Sequence, residues 1–148
     1  MSGAKFARSV LSVTVLLPLV LLSVACGGAG TPVPTEQTVV VELEEWNVSP
    51  DKSSVAAGIV TFEAKNIGTI PHELVVLKTD LPADSLVVEE AVVNEEASGE
   101  LIGEIEEDEL GPGQSSSASF NLTPGKYVLF CNIPAHYQSG MFAAFEVR

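Results

Sequence analysis

Positive charge is scarce in this chain of 148 residues, which carries 7 lysines and arginines against 20 aspartates and glutamates. Nucleic acid is thereby excluded as a partner, because its phosphates repel so acidic a surface. Anionic lipid headgroups are excluded for the same reason, except through an attached anchor. Cysteine occurs only at Cys26 and Cys131, so the sole disulfide available would join those two, and the flexible tail that carries Cys26 argues against it. Histidine is limited to His72 and His136, and Met141 is the one methionine past Met1. There is no internal repeat, and the single long apolar run, Val10 to Leu22, is too short to span a bilayer.

That apolar run belongs to an export leader. Lys5 and Arg8 form a positive n-region, and the small residues Ser23, Val24 and Ala25 precede Cys26. Residues 1–25 are therefore expected to be a signal peptide. Cys26, followed by Gly27 and Gly28, resembles a bacterial lipoprotein processing site, which implies a lipidated N-terminal cysteine. Ser23 stands where such sites usually carry Leu, Val or Ile, and Ser-x-Ala also suits ordinary signal peptidase, so cleavage without a lipid is the alternative. On either route the mature domain is exported. Without Lys5 and Arg8 the count is 5 basic against 20 acidic side chains, a net charge of −15, and a positively charged partner surface is the electrostatic expectation.

Residues 26–37 are small, polar and proline-bearing, and read as a flexible tether. Residues 38–148 then read as one domain. Val39, Val41 and Leu43 alternate with polar neighbours, as do Val60, Phe62 and Ala64, and later Ala118, Phe120 and Leu122. Ser54 to Ala56 is short enough for a sheet edge, and His72 to Lys78 is apolar on both faces, which predicts an interior strand. Lys126 to Cys131 and Met141 to Val147 complete about seven short strands separated by turn signals. That is the pattern of an all-β, Greek-key β-sandwich or small barrel. Strand alternation places Tyr127, Leu129 and Cys131 on one face and Val128 and Phe130 on the other, so the inward row ends at the thiol. The Tyr127 hydroxyl is expected to bond to a nearby corner.

Residues 79–112 interrupt this rhythm as an acidic insertion, with 12 of the 20 acids between Asp80 and Glu109 and no lysine or arginine among them. Asp80, Leu81 and Pro82 predict the start of a short helix running to Val93. A solvated acidic excursion and a partner-docking surface are the two readings of the insertion.

The scarce residues fall in one pattern: His72, then Cys131-x4-His136-x4-Met141. Two imidazoles and a thiolate with a weak, long axial thioether make up a blue-copper ligand set, because soft sulfur suits Cu(I) and imidazole tolerates both oxidation states. Coordination would also protect an unpaired Cys131 in an oxidising compartment. Zinc accepts the same histidine and cysteine ligands. An inert thiol with incidental histidines, and Met141 as core filler, is the bland alternative.

The stretch from Gly125 to Met141, GKYVLFCNIPAHYQSGM, resembles the copper-binding signature of the cupredoxins. Its spacing is similar to that of auracyanin and rusticyanin and longer than that of plastocyanin. Upstream, NIGTIPH from Asn66 to His72 resembles the segment that supplies the first histidine. The resemblance implies one type 1 copper held by His72, Cys131, His136 and Met141, cycling between Cu(II) and Cu(I). It also implies that the His136 ring edge reaches the surface through an apolar patch, for which Ile70, Pro71, Ile133, Pro134, Ala135 and Phe142 are candidates. One departure stands out: Glu73 follows His72 where the family commonly has Asn, and Asn132 is a candidate for a replacement hydrogen bond near the sulfur.

The expected function is electron transport between protein redox partners outside the cytoplasm, by a monomer in the periplasm or anchored through Cys26 to the outer face of the cytoplasmic membrane. Copper storage or delivery, or a zinc-binding role, is the alternative; a single methionine past Met1 argues against delivery. Catalysis is not expected, because two histidines leave neither extra metal centres nor a spare general base.

Overall fold

A computed structural model describes residues 36–148. The expected leader, Cys26 and nearly all of the tether lie outside the described residues. Strands β1 (Gln37–Glu44), β2 (Asn47–Pro50), β4 (Gly58–Asn66) and β9 (Ser115–Leu122) form one sheet in the order β2-β1-β4-β9, with β3 (Ser54–Val55) reserved for the other. That second sheet runs β3-β11-β10-β5-β8, from β5 (Leu74–Lys78), β8 (Glu100–Ile105), β10 (Gly125–Phe130) and β11 (Phe142–Val147). Strands β1 and β4 pair in parallel, as do β3 and β11.

The alternating apolar residues meet between the sheets. Val39, Val41 and Leu43 of β1 and Val60, Phe62 and Ala64 of β4 pack with Leu74, Val76, Tyr127, Leu129 and Phe145. Burial of one face per strand supplies the main driving force, about 1.5–3 kcal/mol for each large apolar side chain. The Tyr127 hydroxyl donates to the Thr123 carbonyl at 2.7 Å, closing the corner before β10. As expected, β5 lies inside its sheet, between β10 and β8, and all of Leu74 to Leu77 is buried.

The insertion departs from its expected helix. Residues 80–93 instead form loops and a hairpin, β6 (Val88–Glu89) and β7 (Val92–Val93), and helix is confined to the single turn α1 (Glu95–Ser98). Valines at 87, 88, 92 and 93 favour extended backbone, and this preference outweighs the helix-start signal at Pro82. Beyond α1, the insertion supplies β8, an edge strand paired with β5, so part of it belongs to the sandwich itself.

Strand register explains how distant residues meet. Phe130 pairs with Val75 across the β10–β5 ladder and with Phe142 across the β10–β11 ladder. Cys131, just past β10, therefore lies beside the residues preceding β5 and β11, which are the segments carrying His72 and Met141.

Candidate metal centre

His72, Cys131 and His136 converge, with one ligand-type atom from each within 4.8 Å of the others. Cys131 Sγ lies 3.3 Å from His136 Nδ1, and the two imidazole centroids are 5.3 Å apart at 63°. All three residues are buried. Met141 is fully buried in the same core cluster as Cys131. Its carbonyl accepts the Cys131 N–H at 3.1 Å and its own N–H donates to the His136 carbonyl at 3.2 Å, which closes the 131–141 loop on itself. Between the short 3-10 turn (Tyr137–Ser139) and Met141, Gly140 adopts φ +114°, a conformation that side chains disfavour.

His72 arrives on the loop after β4. Asn66, itself buried, donates through Nδ2 to the Ile70 and Leu110 carbonyls, both at 2.7 Å, and accepts the Gly68 N–H at 2.9 Å. The Glu45 carboxylate accepts from Thr69 N–H and Oγ1, each at 2.8 Å, and from Ile70 N–H at 3.1 Å. Those bonds, the Thr69 amide foremost, lower the Glu45 pKa to about 2. A Cβ at Gly68 would fall 2.4 Å from Glu45 Oε2 and 3.1 Å from His72 Nε2, so any side chain there would have to displace the Glu45 carboxylate and press on the His72 ring. Asn66 and Glu45 were not singled out from sequence as site residues; an Asn ending a strand just before a glycine turn was the available signal for the first.

The electrostatics suit a ligand set waiting for a cation. Burial lowers the pKa of both histidines, which keeps neutral imidazoles with free lone pairs. Burial also raises the Cys131 thiol to about 11, partly countered by the Glu73 and Ile133 amides, so ionisation of the thiol needs an added positive charge. Most telling, His72 is wholly buried while neither Nδ1 nor Nε2 has a hydrogen-bond partner. Buried ring nitrogens are costly when unpaired, and a metal ion between His72, His136 and Cys131 would take the lone pair of one nitrogen from each ring together with the sulfur.

Glu73 answers the question raised by its position. Its N–H donates to Cys131 Sγ at 3.4 Å, and its Oε1 accepts the Asn132 N–H at 2.8 Å, so the carboxylate itself ties the His72 strand to the cysteine loop. The expected substitute, the Asn132 side chain, is engaged elsewhere, with Val93 and Glu95.

The expected surface patch is also revised. Pro71, Pro134 and Ala135 are exposed, but Ile133 packs against the main core, and Phe142 packs against the second cluster and the Tyr137 ring. His136 is only 7% exposed, and its ring meets Trp46 edge-on with centroids 5.2 Å apart. Trp46 is 48% exposed and links this buried imidazole to the surface, a place that its position in the β1–β2 turn did not signal.

The fold has known counterparts. The sulfocyanin (SoxE) domain matches residues 50–148. The structure is similar to a dithionite-reduced auracyanin from the photosynthetic bacterium Roseiflexus castenholzii, at 26% identity and a TM-score of 0.53, covering 77% of this chain and 97% of that one. It is also similar in fold to auracyanin B, at 22% identity and a TM-score of 0.50 over 80% and 92% of the two chains. Rusticyanin from Thiobacillus ferrooxidans shares the fold at 17% identity and a TM-score of 0.51, over 76% and 77%. No curated protein matches the chain.

Proposed function

This chain belongs to the sulfocyanin (SoxE) domain family of cupredoxins, and from that membership we propose that it carries single electrons between protein redox partners outside the cytoplasm, with one type 1 copper held by His72, Cys131, His136 and Met141. When bound, copper supplies the one-electron Cu(II)/Cu(I) couple. The observation that carries this reading is the buried His72, with both ring nitrogens unpartnered beside the Cys131 thiol and the His136 ring. Likeness to an auracyanin obtained in a reduced form supports a redox role.

The residues perform distinct tasks. His72 and His136 stay neutral and offer lone pairs, while the Glu73 amide donates to the cysteine sulfur and favours its thiolate form. Asn66, Glu45 and the 131–141 backbone bonds hold the loops from three sides, so little rearrangement accompanies a change of charge. Burial excludes water and weighs against a delivery role, which needs an exchangeable site. Trp46 offers a surface contact on the His136 ring. A basic partner surface complements the net charge of −15 reached once Lys5 and Arg8 are removed with the leader. Residues 1–25 act as the leader, 26–37 as the tether with lipid on Cys26, and 38–148 as the carrier at the outer face of the membrane or in the periplasm.

Coulometric titration tests the proposal. The copper-loaded protein is expected to take up and release one electron per chain through repeated cycles without losing metal. Release of copper on each reduction, or retention of zinc in preference to copper, contradicts it.

A further inference from the structure

The insertion's loop and hairpin, residues 83–95, lie across the ligand loop and are joined to it at three positions. The Tyr137 hydroxyl donates to the Ala83 carbonyl at 2.8 Å and accepts the Leu86 N–H at 3.0 Å. The Asn132 side chain accepts the Val93 N–H at 2.6 Å, and donates to the Val93 carbonyl at 3.1 Å and to the Glu95 carboxylate at 3.0 Å. Ala135 donates its N–H to the Ala91 carbonyl at 2.8 Å. Asn132 and Ala135 flank the Cys131–His136 interval, and Tyr137 directly follows the second histidine.

Apolar packing runs along the same seam, with Leu86 and Val93 buried in one cluster with Phe130 and Tyr137. The segment is also braced by one internal bond and by the residues on either side of it. Asn94 N–H donates to the Val87 carbonyl at 2.8 Å, Val87 N–H donates to Ser98 Oγ at 2.9 Å, and the Ser98 carbonyl accepts from Thr79 Oγ1 at 2.6 Å. Ala91 and Ala135, the two partners of the backbone contact, both hold φ near +70°. Left-handed backbone at non-glycine residues persists only where the surroundings over-determine it.

From these contacts we propose that residues 83–95 form a strap that sets the shape of the ligand loop before any metal arrives, with Asn132 and Tyr137 as its positioning residues. The physical need is clear: residues 132–140 lie outside the sheet ladders, and fixing each free backbone costs about 1–2 kcal/mol of conformational entropy. The strap supplies the partners that a strand would otherwise provide, so the acidic insertion is part of the site's construction. This inference rests on the copper-carrier reading only for its second readout.

The test uses the full chain with Tyr137→Phe, Asn132→Ala and the double variant. In metal-free protein, hydrogen exchange at Leu86, Val93 and Ala135 is expected to accelerate about tenfold in the double variant, with β4 and β9 amides unchanged. The copper-loaded double variant is expected to release Cu(I) to a chelator about tenfold faster than wild type, with a shifted reduction potential. Tyr137→Phe keeps the ring and its packing, and is expected to accelerate Leu86 exchange alone. Unchanged exchange in the double variant, or equal acceleration in β4 and β9, would overturn the strap. Wild-type protein that fails to bind copper while strap exchange still responds would refute the carrier reading and leave the strap standing.

Discussion

Glu73 and Asn132 are joined by a backbone-to-carboxylate hydrogen bond of 2.8 Å, and the same glutamate donates its own N–H to the sulfur of Cys131. One residue thus links the strand after the first histidine to the loop after the cysteine. Glu73→Ala removes the acceptor and leaves the Asn132 N–H without it; a loss of about 1 kcal/mol is expected in urea unfolding of the metal-free protein at pH 4.5, where the Glu73 carboxyl, raised by burial to about 7, is neutral in the fold and carries no charge-burial cost. Glu73→Gln keeps an acceptor oxygen and is expected to retain the stability that Ala loses. Equal loss in both variants would show that the bond is not what matters.

His72 should cost the metal-free fold stability. Both ring nitrogens are buried without partners, so His72→Leu is expected to stabilise metal-free protein by about 1–2 kcal/mol. The order should reverse with excess Cu(II), because binding to the native state stabilises wild type by mass action and the variant lacks a ligand. Thermal melts of both proteins with and without Cu(II) check this, and a variant that is less stable under both conditions contradicts it.

Trp46 is the only tryptophan in the chain, and its ring lies 5.2 Å from that of His136. Its fluorescence is therefore a reporter of the site. Loading with Cu(II) is expected to quench most of the emission, whereas Zn(II), which has no redox chemistry, leaves it largely intact. Unchanged emission on copper loading would place the bound ion away from His136.

Acid stability follows from Glu45. Its pKa falls from 4.5 to about 2 on folding, through hydrogen bonds from the Thr69 amide first, then its own N–H, the Thr69 hydroxyl and the Ile70 amide. The sign follows from linkage: a carboxylate with a depressed folded pKa contributes stability that is complete above pH 4.5 and is lost as pH falls toward 2. Glu45→Gln is expected to be less stable than wild type at pH 7 and to show a shallower loss between pH 4.5 and 2, measured by urea midpoints. Parallel acid limbs would contradict the assignment.

Much of this architecture was legible in the chain because strand alternation is local. The rows Val39-Val41-Leu43 and Tyr127-Leu129-Cys131 face the core as their spacing implies, and the end of the second row marks the thiol. The convergence of His72, Cys131 and His136 was legible because histidine and cysteine are so rare in this chain. What escaped was non-local. Trp46 reaches His136 only because β1 and β2 turn over that end of the sandwich. The 80–93 segment carried a proline-led helix signal, and its valines joined instead into a hairpin that packs on Tyr137. Glu73 looked like a missing amide, yet its carboxyl oxygen accepts the Asn132 N–H beside Cys131.

The visible absorption and electron paramagnetic resonance of protein loaded with one equivalent of Cu(II), beside Cys131→Ser, decide whether copper binds the Cys131 sulfur. The expected result is an intense sulfur-to-copper band with narrow hyperfine splitting in wild type, and loss of both in the variant. A colourless wild-type protein, or a variant that keeps the band, would contradict a site built on His72, Cys131 and His136.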